Sequence, residues 1–374
     1  MTNRRAFLHA TTLAALAPML PLSLRAAPAP KLWPHYRDVI AIDGEGGLDL
    51  LRGDDIDVKG AVRELAEARA SGLTATLLQV TGVHAGFEEA VNDLMRCRAR
   101  ADAHKDAFLI VESAADLARA KRENKLGLIL RFQGADPIGD NFDHVKAFRA
   151  LGIRVVELTH NRRNLFGDGS TEPGNAGLSV LGKVLVEQLN VDRIVVDVAH
   201  GSERTMKEGI AASKAPVLIS HSGCRALSDL PRLADDDALR AMAKSGGVIG
   251  IMFWPYLTRE GQPMAIDVIR HIEHAIDICG EDHVGIGTDG GIASTERTPE
   301  FEKQNLASMT QTVADGIFGP GRKAEGLYYF VPDLNAPNRF DILAAKLSAR
   351  GHSDARIEKI LGGNFARVFA EVWG

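Results

Sequence analysis

The segment RIVVDVAHGSERTMKEGIAASKAPVLISHS, residues 193–222, contains the pattern on which the fold assignment depends. It holds two short apolar runs, Arg193–Val198 and Pro216–Ser220, and a histidine follows each run within two residues. Runs rich in Val, Ile and Leu without strict alternation are typical of strands buried on both faces of a parallel sheet. A longer amphipathic stretch separates the two runs. The segment therefore predicts a strand, a helical connection and a second, parallel strand.

The same pattern recurs along the chain. Further apolar runs lie at Asp38–Asp43, Leu73–Val80, Leu126–Phe132, Ile153–Thr159, Gly247–Phe253 and Val284–Thr288. Apolar residues with helical spacing lie between the runs, for example in 62–70, 181–189 and 238–243. Eight strands separated by helices predict an α/β fold of the (β/α)8 TIM-barrel type. A doubly wound open sheet is the alternative, but the glycine-rich stretch Asp43–Gly47 lacks the GxGxxG spacing of a dinucleotide-binding loop.

The N-terminus has the features of an export signal. Arg4 and Arg5 precede an apolar stretch from Ala10 to Leu24, and a run of small residues follows it. This order is typical of a signal peptide, and the paired arginines resemble a twin-arginine signal. The apolar stretch is shorter than the roughly 20 residues of a membrane-spanning helix. We therefore predict a signal peptide at 1–29, passage through the twin-arginine translocase and a periplasmic location.

The remaining residues, 30–374, are predicted to form a single barrel domain. A proline-containing segment, 294–338, predicts a long insertion after the last strand, and the tail predicts closing helices. The formal net charge of −5, without a long run of one sign, argues against a nucleic-acid partner. Cys97, Cys224 and Cys279 form neither a CxxC pair nor a zinc-finger spacing, so we interpret them as buried apolar residues.

Polar side chains follow several of the predicted strands. In chain order, the runs Ile153–Thr159, Arg193–Val198, Pro216–Ser220 and Val284–Thr288 are predicted strands four, five, six and eight. They are followed by His160, His200, His221 and Asp289, respectively. The carboxyl ends of barrel strands meet at one face, where barrel enzymes place their active sites. Neutral imidazole and carboxylate groups are the ligands of zinc and similar ions. The sequence therefore predicts a metal site at this face.

Several short motifs, in this order, resemble the renal (membrane) dipeptidase family, peptidase family M19. They are Glu157-Leu-Thr-His-Asn, Val196-Asp-Val-Ala-His, Ile219-Ser-His-Ser, Pro231-Arg-Leu-Ala-Asp-Asp, Gly285-Ile-Gly-Thr-Asp-Gly and Gly362-Gly-Asn-Phe-Ala-Arg-Val. The resemblance extends over nearly all of the chain that follows the predicted signal. It implies a dipeptidase-like barrel with two divalent metals, usually zinc, at its mouth.

The resemblance also implies roles for individual residues. His200 and His221 match the histidines that hold one metal. Asp289 matches the aspartate that contacts the other metal and handles the proton of the attacking water. His160 matches the histidine that polarises the substrate carbonyl. Arg232 matches the arginine that binds the substrate carboxylate, and its alternative interpretation is a solvated loop charge.

The sequence departs from the family at the first metal. The family's strand-one motif is Asp-Gly-His-Asn-Asp, whereas this chain has Glu45 in place of the histidine and Gly47 in place of the second aspartate. Gln133 replaces the bridging glutamate, and a neutral amide bridges two cations poorly. We therefore expect at most one zinc ion per chain, at His200 and His221, completed by Asp289, Gln133 or Glu45. Imidazole ligands also suit other divalent metals.

These observations predict an exported metal-dependent hydrolase that cleaves a dipeptide or dipeptide-like amide with a metal-activated water. One alternative is a dipeptidase-like protein with changed chemistry, for example in the maturation of a peptide-derived natural product such as a siderophore. Another is a non-catalytic binding protein with a degenerate metal site. The expected partner is a small dipeptide-like molecule, and the resemblance adds a homodimer as one oligomeric state.

Overall fold

Eight parallel strands close into a barrel in the computed structural model, which describes residues 32–52 and 58–374. The predicted signal peptide lies outside the described residues. The strands are β1 (Ile42–Asp43), β2 (Gly46–Gly47), β3 (Ala75–Gln79), β4 (Phe108–Ile110), β5 (Leu126–Phe132), β6 (Val155–Glu157), β7 (Val195–Asp197), β8 (Leu218–Ser222), β9 (Val248–Ile251), β10 (Val284–Ile286) and β11 (Gly290–Gly291). The barrel order is β3-β1-β10-β9-β8-β7-β6-β5, and β3 pairs with β5 to close it. The predicted (β/α)8 barrel is therefore confirmed.

Helices surround the barrel and cover its ends. They are α1 (Val58–Ser71), α2 (Phe87–Ala103), α3 (Ala114–Glu123), α4 (Asp143–Ala150), α5 (Val180–Val191), α6 (Glu203–Ala212), α7 (Asp236–Lys244), α8 (Ala265–Cys279), α9 (Pro299–Ala314), α10 (Arg339–Ala349), α11 (Asp354–Glu358) and α12 (Asn364–Trp373). Helix α9 lies within the predicted insertion 294–338. Within residues 32–52 and 58–374, no helix combines the length and apolar character needed to cross a bilayer.

Three strands, β2, β4 and β11, were not predicted. β4 pairs with the first half of β5, while β6 pairs with the last two residues of β5. β2 and β11 form a two-stranded pair at the barrel mouth, with Gly46 opposite Gly290. Each of these strands has only two or three residues, which is too short to give a recognisable apolar run.

The apolar core has two parts because barrel strands alternate between an inner and an outer face. Outward residues pack against the helices, as where Phe132 meets Phe148 of α4 with ring centroids 4.7 Å apart. Inward residues form a second cluster: Ile42, Leu77, Ile129, Val155, Val195, Leu218 and Val248. Phe365 and Phe369 of α12 belong to this inner cluster. A Cβ at Gly285 would lie 2.5 Å from the Phe365 ring, so this close approach requires a glycine.

Above the apolar cluster, the next inward positions are charged. Two residues beyond Ile129, Val155 and Val195, the same strands carry Arg131, Glu157 and Asp197. All three side chains are fully buried. Barrel interiors are usually filled by layers of branched apolar residues. This polar layer therefore separates the apolar interior from the candidate site.

Candidate functional site

Two imidazoles from neighbouring strands converge at the carboxyl end of the barrel. His200, just beyond β7, and His221, in β8, place their Nε2 atoms 2.9 Å apart. Local backbone features aim both rings. His200 has a positive φ of 55°, which a non-glycine residue rarely adopts. The β8–β9 register shifts between Ile219 and Ser222, and such irregularities re-aim side chains next to active sites.

Hydrogen bonds set the ring orientations. His200 Nδ1 lies 2.7 Å from Asn161 Oδ1, which can only accept, so Nδ1 carries the proton and Nε2 is left with a lone pair. His221 Nδ1 lies 2.8 Å from Ser220 Oγ. Burial lowers the pKa of His200 and of His221 well below the usual range, and the charge of Arg232 adds to the effect. Both rings are therefore neutral, as metal coordination requires.

A carboxylate completes a potential ligand set. One oxygen of Glu157 and one nitrogen each of His200 and His221 all lie within 4.8 Å of one another, and all three residues are buried. Glu157 Oε1 has no hydrogen-bond partner. Asp289 and Glu45 are not part of this group, as far as residues 32–52 and 58–374 show. Gln133 lies beside it, with its Nε2 3.1 Å from His221 Nε2.

A buried arginine occupies the centre of the polar layer. One terminal nitrogen of Arg131, Nη1, donates to Glu45 Oε2 and to Ser220 Oγ. The other, Nη2, donates to Glu157 Oε2 and lies 3.0 Å from Asp197 Oδ2. Burial disfavours the charged guanidinium, but the three carboxylates outweigh this effect and raise the pKa of Arg131. The arginine thus stays charged inside the barrel.

The carboxylates at the mouth have raised pKa values. Burial raises the pKa of Glu45 to about 7, although Arg131 opposes the shift. Burial also raises the pKa of Asp289 to about 8, and here Arg232 opposes it. Both residues, with Gln133, line a cavity of about 730 Å³. Asp289 has a φ of 57°, and its carbonyl accepts a hydrogen bond from Trp254 Nε1.

A second cavity of about 630 Å³ lies on the side of the mouth formed by Asn161, Arg232 and Tyr256. Arg232 is only 3% exposed, which excludes the alternative of a solvated loop charge. Its Nη2 donates to the carbonyl of His221 at 3.0 Å, while Nε and Nη1 have no partner. His160 stacks on His200 with centroids 4.2 Å apart, and burial lowers the pKa of His160 to about 3.

The two metal positions expected from the family resemblance differ in how well the residues suit a cation. At the first, the Glu45 carboxylate is already bound by Arg131, and a Cβ at Gly47 would lie 3.3 Å from Arg52 Nη2. Two guanidinium groups therefore adjoin this position, and it does not suit a metal. At the second metal position, two neutral imidazoles and an unpartnered carboxylate oxygen form a donor set that suits a metal.

Sequence reasoning named most of these residues but overlooked the roles of Arg131, Glu157 and Asp197. A signal was present: each of their strands lies in a largely apolar run with a charged residue near its carboxyl end. A charge inside a strand buried on both faces needs a partner, and the signs of these three are complementary.

The chain is similar to several known proteins. The family model for membrane dipeptidase, peptidase family M19, matches residues 61–306. The dipeptidase verJ of Clonostachys rogersoniana is 27% identical over 310 residues, which cover 82% of this chain and 68% of that protein. An amidohydrolase from Pseudomonas aeruginosa superposes with a TM-score of 0.74 at 28% identity, covering 91% of this chain and 98% of its own.

The fold is shared more widely. The probable dipeptidase PvdM from Pseudomonas aeruginosa superposes with a TM-score of 0.73, over 90% of this chain and 96% of that one. Its identity of 21% supports a common fold only. The family model spans well over half of the sequence and includes the strand ends that carry His160, His200, His221 and Asp289. The chain therefore belongs to the membrane dipeptidase family, peptidase family M19.

Proposed function

We propose that the protein is an exported metal-dependent hydrolase that cleaves the amide bond of a dipeptide or a dipeptide-like molecule. The observation that carries the proposal is the convergence of two neutral imidazoles, His200 and His221, at the carboxyl end of the barrel. The dipeptidases among its relatives support the same class of reaction. Zinc is the proposed ion, because two imidazoles and an oxygen ligand suit it.

Individual residues would have separate roles around that ion. A bound divalent cation would supply Lewis-acid chemistry and lower the pKa of water. Asp289 lines the same cavity as Gln133, and its raised pKa suits a group that accepts a proton from water near neutral pH. His160 stays neutral, so an N–H of its ring can donate to the oxygen of the scissile carbonyl as negative charge develops there.

Arg232 is the proposed anchor for the substrate carboxylate. Two of its guanidinium nitrogens are buried without partners, and a buried donor without a partner is costly. A carboxylate would accept a charge-assisted hydrogen bond from one of these nitrogens. The contact fixes one end of a dipeptide beside the imidazoles, which selects short substrates with a free carboxyl terminus.

We expect Arg232→Lys to lower kcat/KM for a free dipeptide by about 10- to 100-fold, mainly through KM, because a charged hydrogen bond contributes about 1.5–3 kcal/mol. Steady-state kinetics measure the effect. The matched control is the same dipeptide with an amidated carboxyl terminus, which should be a poor substrate for both proteins. Equal losses on the free and amidated substrates would exclude carboxylate recognition by Arg232.

The proposed function is tested by incubating the purified protein with a panel of dipeptides and detecting released amines with ninhydrin. We expect cleavage of at least one dipeptide after zinc loading, loss of cleavage after treatment with a chelator, and recovery when zinc is returned. No cleavage of any dipeptide by a protein that demonstrably holds zinc would contradict hydrolysis. Cleavage that persists without metal would contradict the metal-dependent mechanism.

One observation favours the second candidate, a dipeptidase-like protein with changed chemistry. The pairing of Glu45 with Arg131 and the loss of the aspartate at Gly47 remove the site that a water bridging two metals would need. Zinc-loaded protein that binds dipeptides without cleaving them would favour this candidate, or a binding protein, over a hydrolase.

Export through the twin-arginine translocase to the periplasm completes the proposal. Its support is the sequence of residues 1–29, with Arg4 and Arg5 ahead of the apolar stretch. Arg4→Lys and Arg5→Lys together should retain the full-length protein in the cytoplasm, as fractionation and N-terminal sequencing would show. A homodimer is also proposed from the family and is checked by light scattering.

A further inference from the structure

The polar layer contains more carboxylates than guanidinium groups. Glu45, Glu157 and Asp197 all contact Arg131, so three carboxylates share one guanidinium. Arg131, Glu157 and Asp197 are completely buried, and Glu45 nearly so. Uncompensated charge inside a protein is strongly unfavourable. A further cation beside these carboxylates would therefore be favourable.

One atom of the layer is free to receive that cation. Glu157 uses Oε2 for Arg131, and its Oε1 is buried without any hydrogen-bond partner. The residue ends β6, which pairs with β7, and β7 pairs in turn with β8. His200 follows β7, and His221 lies in β8. This adjacency places a carboxylate oxygen within 4.8 Å of the imidazole nitrogens of His200 and His221.

Arg131 supplies a positive charge where Glu45 and Glu157 converge. It binds Glu45, the residue that stands where the family has a metal-binding histidine, and it also binds the far oxygen of Glu157. Its Nη1 donates to Ser220 Oγ, which in turn contacts Nδ1 of His221. The guanidinium is thus linked to two of the three candidate ligands.

We propose that His200, His221 and Glu157 are the protein ligands of a single divalent cation, and that the guanidinium of Arg131 takes the place of a second one. The inference rests on the proposed function, and it assigns the third ligand to strand β6 instead of to Gln133 or Asp289. Each chain then binds one metal. Arg131 acts as a positioning residue that holds Glu157 in place.

The test is a calorimetric titration of the metal-free full-length protein with zinc. Elemental analysis of the saturated sample then gives the number of zinc ions per chain. Wild type should bind one zinc per chain. Glu157→Gln and Glu157→Asp should weaken binding by more than about 100-fold, since loss of outer-shell partners alone weakens metal sites by about 10–100-fold. Gln133→Ala should change the affinity by less than about tenfold.

Asp197→Asn is the matched control for charge. It removes a carboxylate from Arg131, as Glu157→Gln does, but leaves the three proposed ligands in place. We expect a clearly smaller effect than that of Glu157→Gln. In cobalt-loaded samples, Glu157→Asp should change the visible ligand-field spectrum, whereas Asp197→Asn should leave its band positions unchanged.

Two zinc ions per chain, or no zinc binding, would overturn the inference. So would a larger loss of zinc affinity in Gln133→Ala than in Glu157→Gln, or equal losses of zinc affinity in Glu157→Gln and Asp197→Asn. Should the Glu157 variants not fold, anomalous diffraction from zinc-soaked wild-type crystals decides. A zinc peak about 2.0–2.2 Å from a Glu157 oxygen supports the inference, and a peak at Gln133 without Glu157 contradicts it. Correct coordination without dipeptide cleavage would contradict only the proposed function.

Discussion

Replacing Arg131 with methionine is expected to destabilise the protein by about 3–5 kcal/mol at neutral pH. The substitution keeps an unbranched, uncharged stem but leaves Glu45, Glu157 and Asp197 without their shared cation. Removing one partner from a buried ion pair typically costs about 3–5 kcal/mol, because the remaining charge stays buried. Urea denaturation followed by circular dichroism measures the free energy of unfolding.

The loss of stability in Arg131→Met should depend on pH in a defined direction. Burial already raises the pKa of Glu45 to about 7 and that of Glu157 above its usual range, with Arg131 opposing both shifts. Without Arg131 both pKa values rise further, so the folded state binds more protons than the unfolded state between about pH 4.3 and the folded pKa. The stability of Arg131→Met should therefore fall as the pH rises, and its deficit should shrink toward pH 4.3.

An exposed arginine provides the control. Arg240 pairs with Asp237 at 3.1 Å, but its side chain is 55% exposed. Arg240→Met should lower the free energy of unfolding by less than about 1 kcal/mol. Adding Glu157→Gln and Asp197→Asn to Arg131→Met should recover part of the stability. An equally small loss for Arg131→Met and Arg240→Met would show that the buried layer does not depend on the guanidinium.

The second large effect is expected for His200→Ala, which should lower kcat/KM for the best dipeptide by about 1000-fold or more, equivalent to about 4 kcal/mol of transition-state stabilisation. The substitution removes one of the two converging imidazoles and the group that Asn161 orients. Zinc content by elemental analysis should fall with the activity. Steady-state kinetics on zinc-loaded protein measures the rate.

A histidine at the opposite end of the barrel serves as the control for this substitution. His283 precedes β10 and contacts the carbonyl of Gly247 through Nδ1 at 2.8 Å. His283→Ala should keep both the zinc content and the rate of wild type. If His200→Ala cleaves dipeptides as fast as wild type, the measured activity does not arise from this site.

The sequence was sufficient to predict the barrel because the relevant signals are local. All eight barrel strands lie within predicted runs or overlap them, as β5 does with Leu126–Phe132 and β8 with Pro216–Ser220. Strands buried on both faces need continuous apolar runs, and the connecting helices need helical spacing. The short strands β2, β4 and β11 could not be recognised, because their pairing depends on neighbours and not on composition.

The sequence also indicated which residues meet at the mouth, since the carboxyl ends of parallel strands lie at one face. It could not indicate how those residues pair. Glu45 was open to interpretation as a metal ligand, but its carboxylate is bound by Arg131. Glu157 was part of a family motif without a role of its own, and its free oxygen became apparent only from its surroundings.

By itself, then, the sequence determined the strand order, the apolar interior and the set of polar side chains at the carboxyl ends. Only the tertiary structure decided which charges neutralise one another. Glu45 and Arg131 are 86 residues apart in the chain, and they meet because closure of the barrel brings their strands around a common centre. Hydrophobic periodicity is a property of residues that are close in sequence. Electrostatic pairing in a buried layer depends on distances that exist only after the chain has folded.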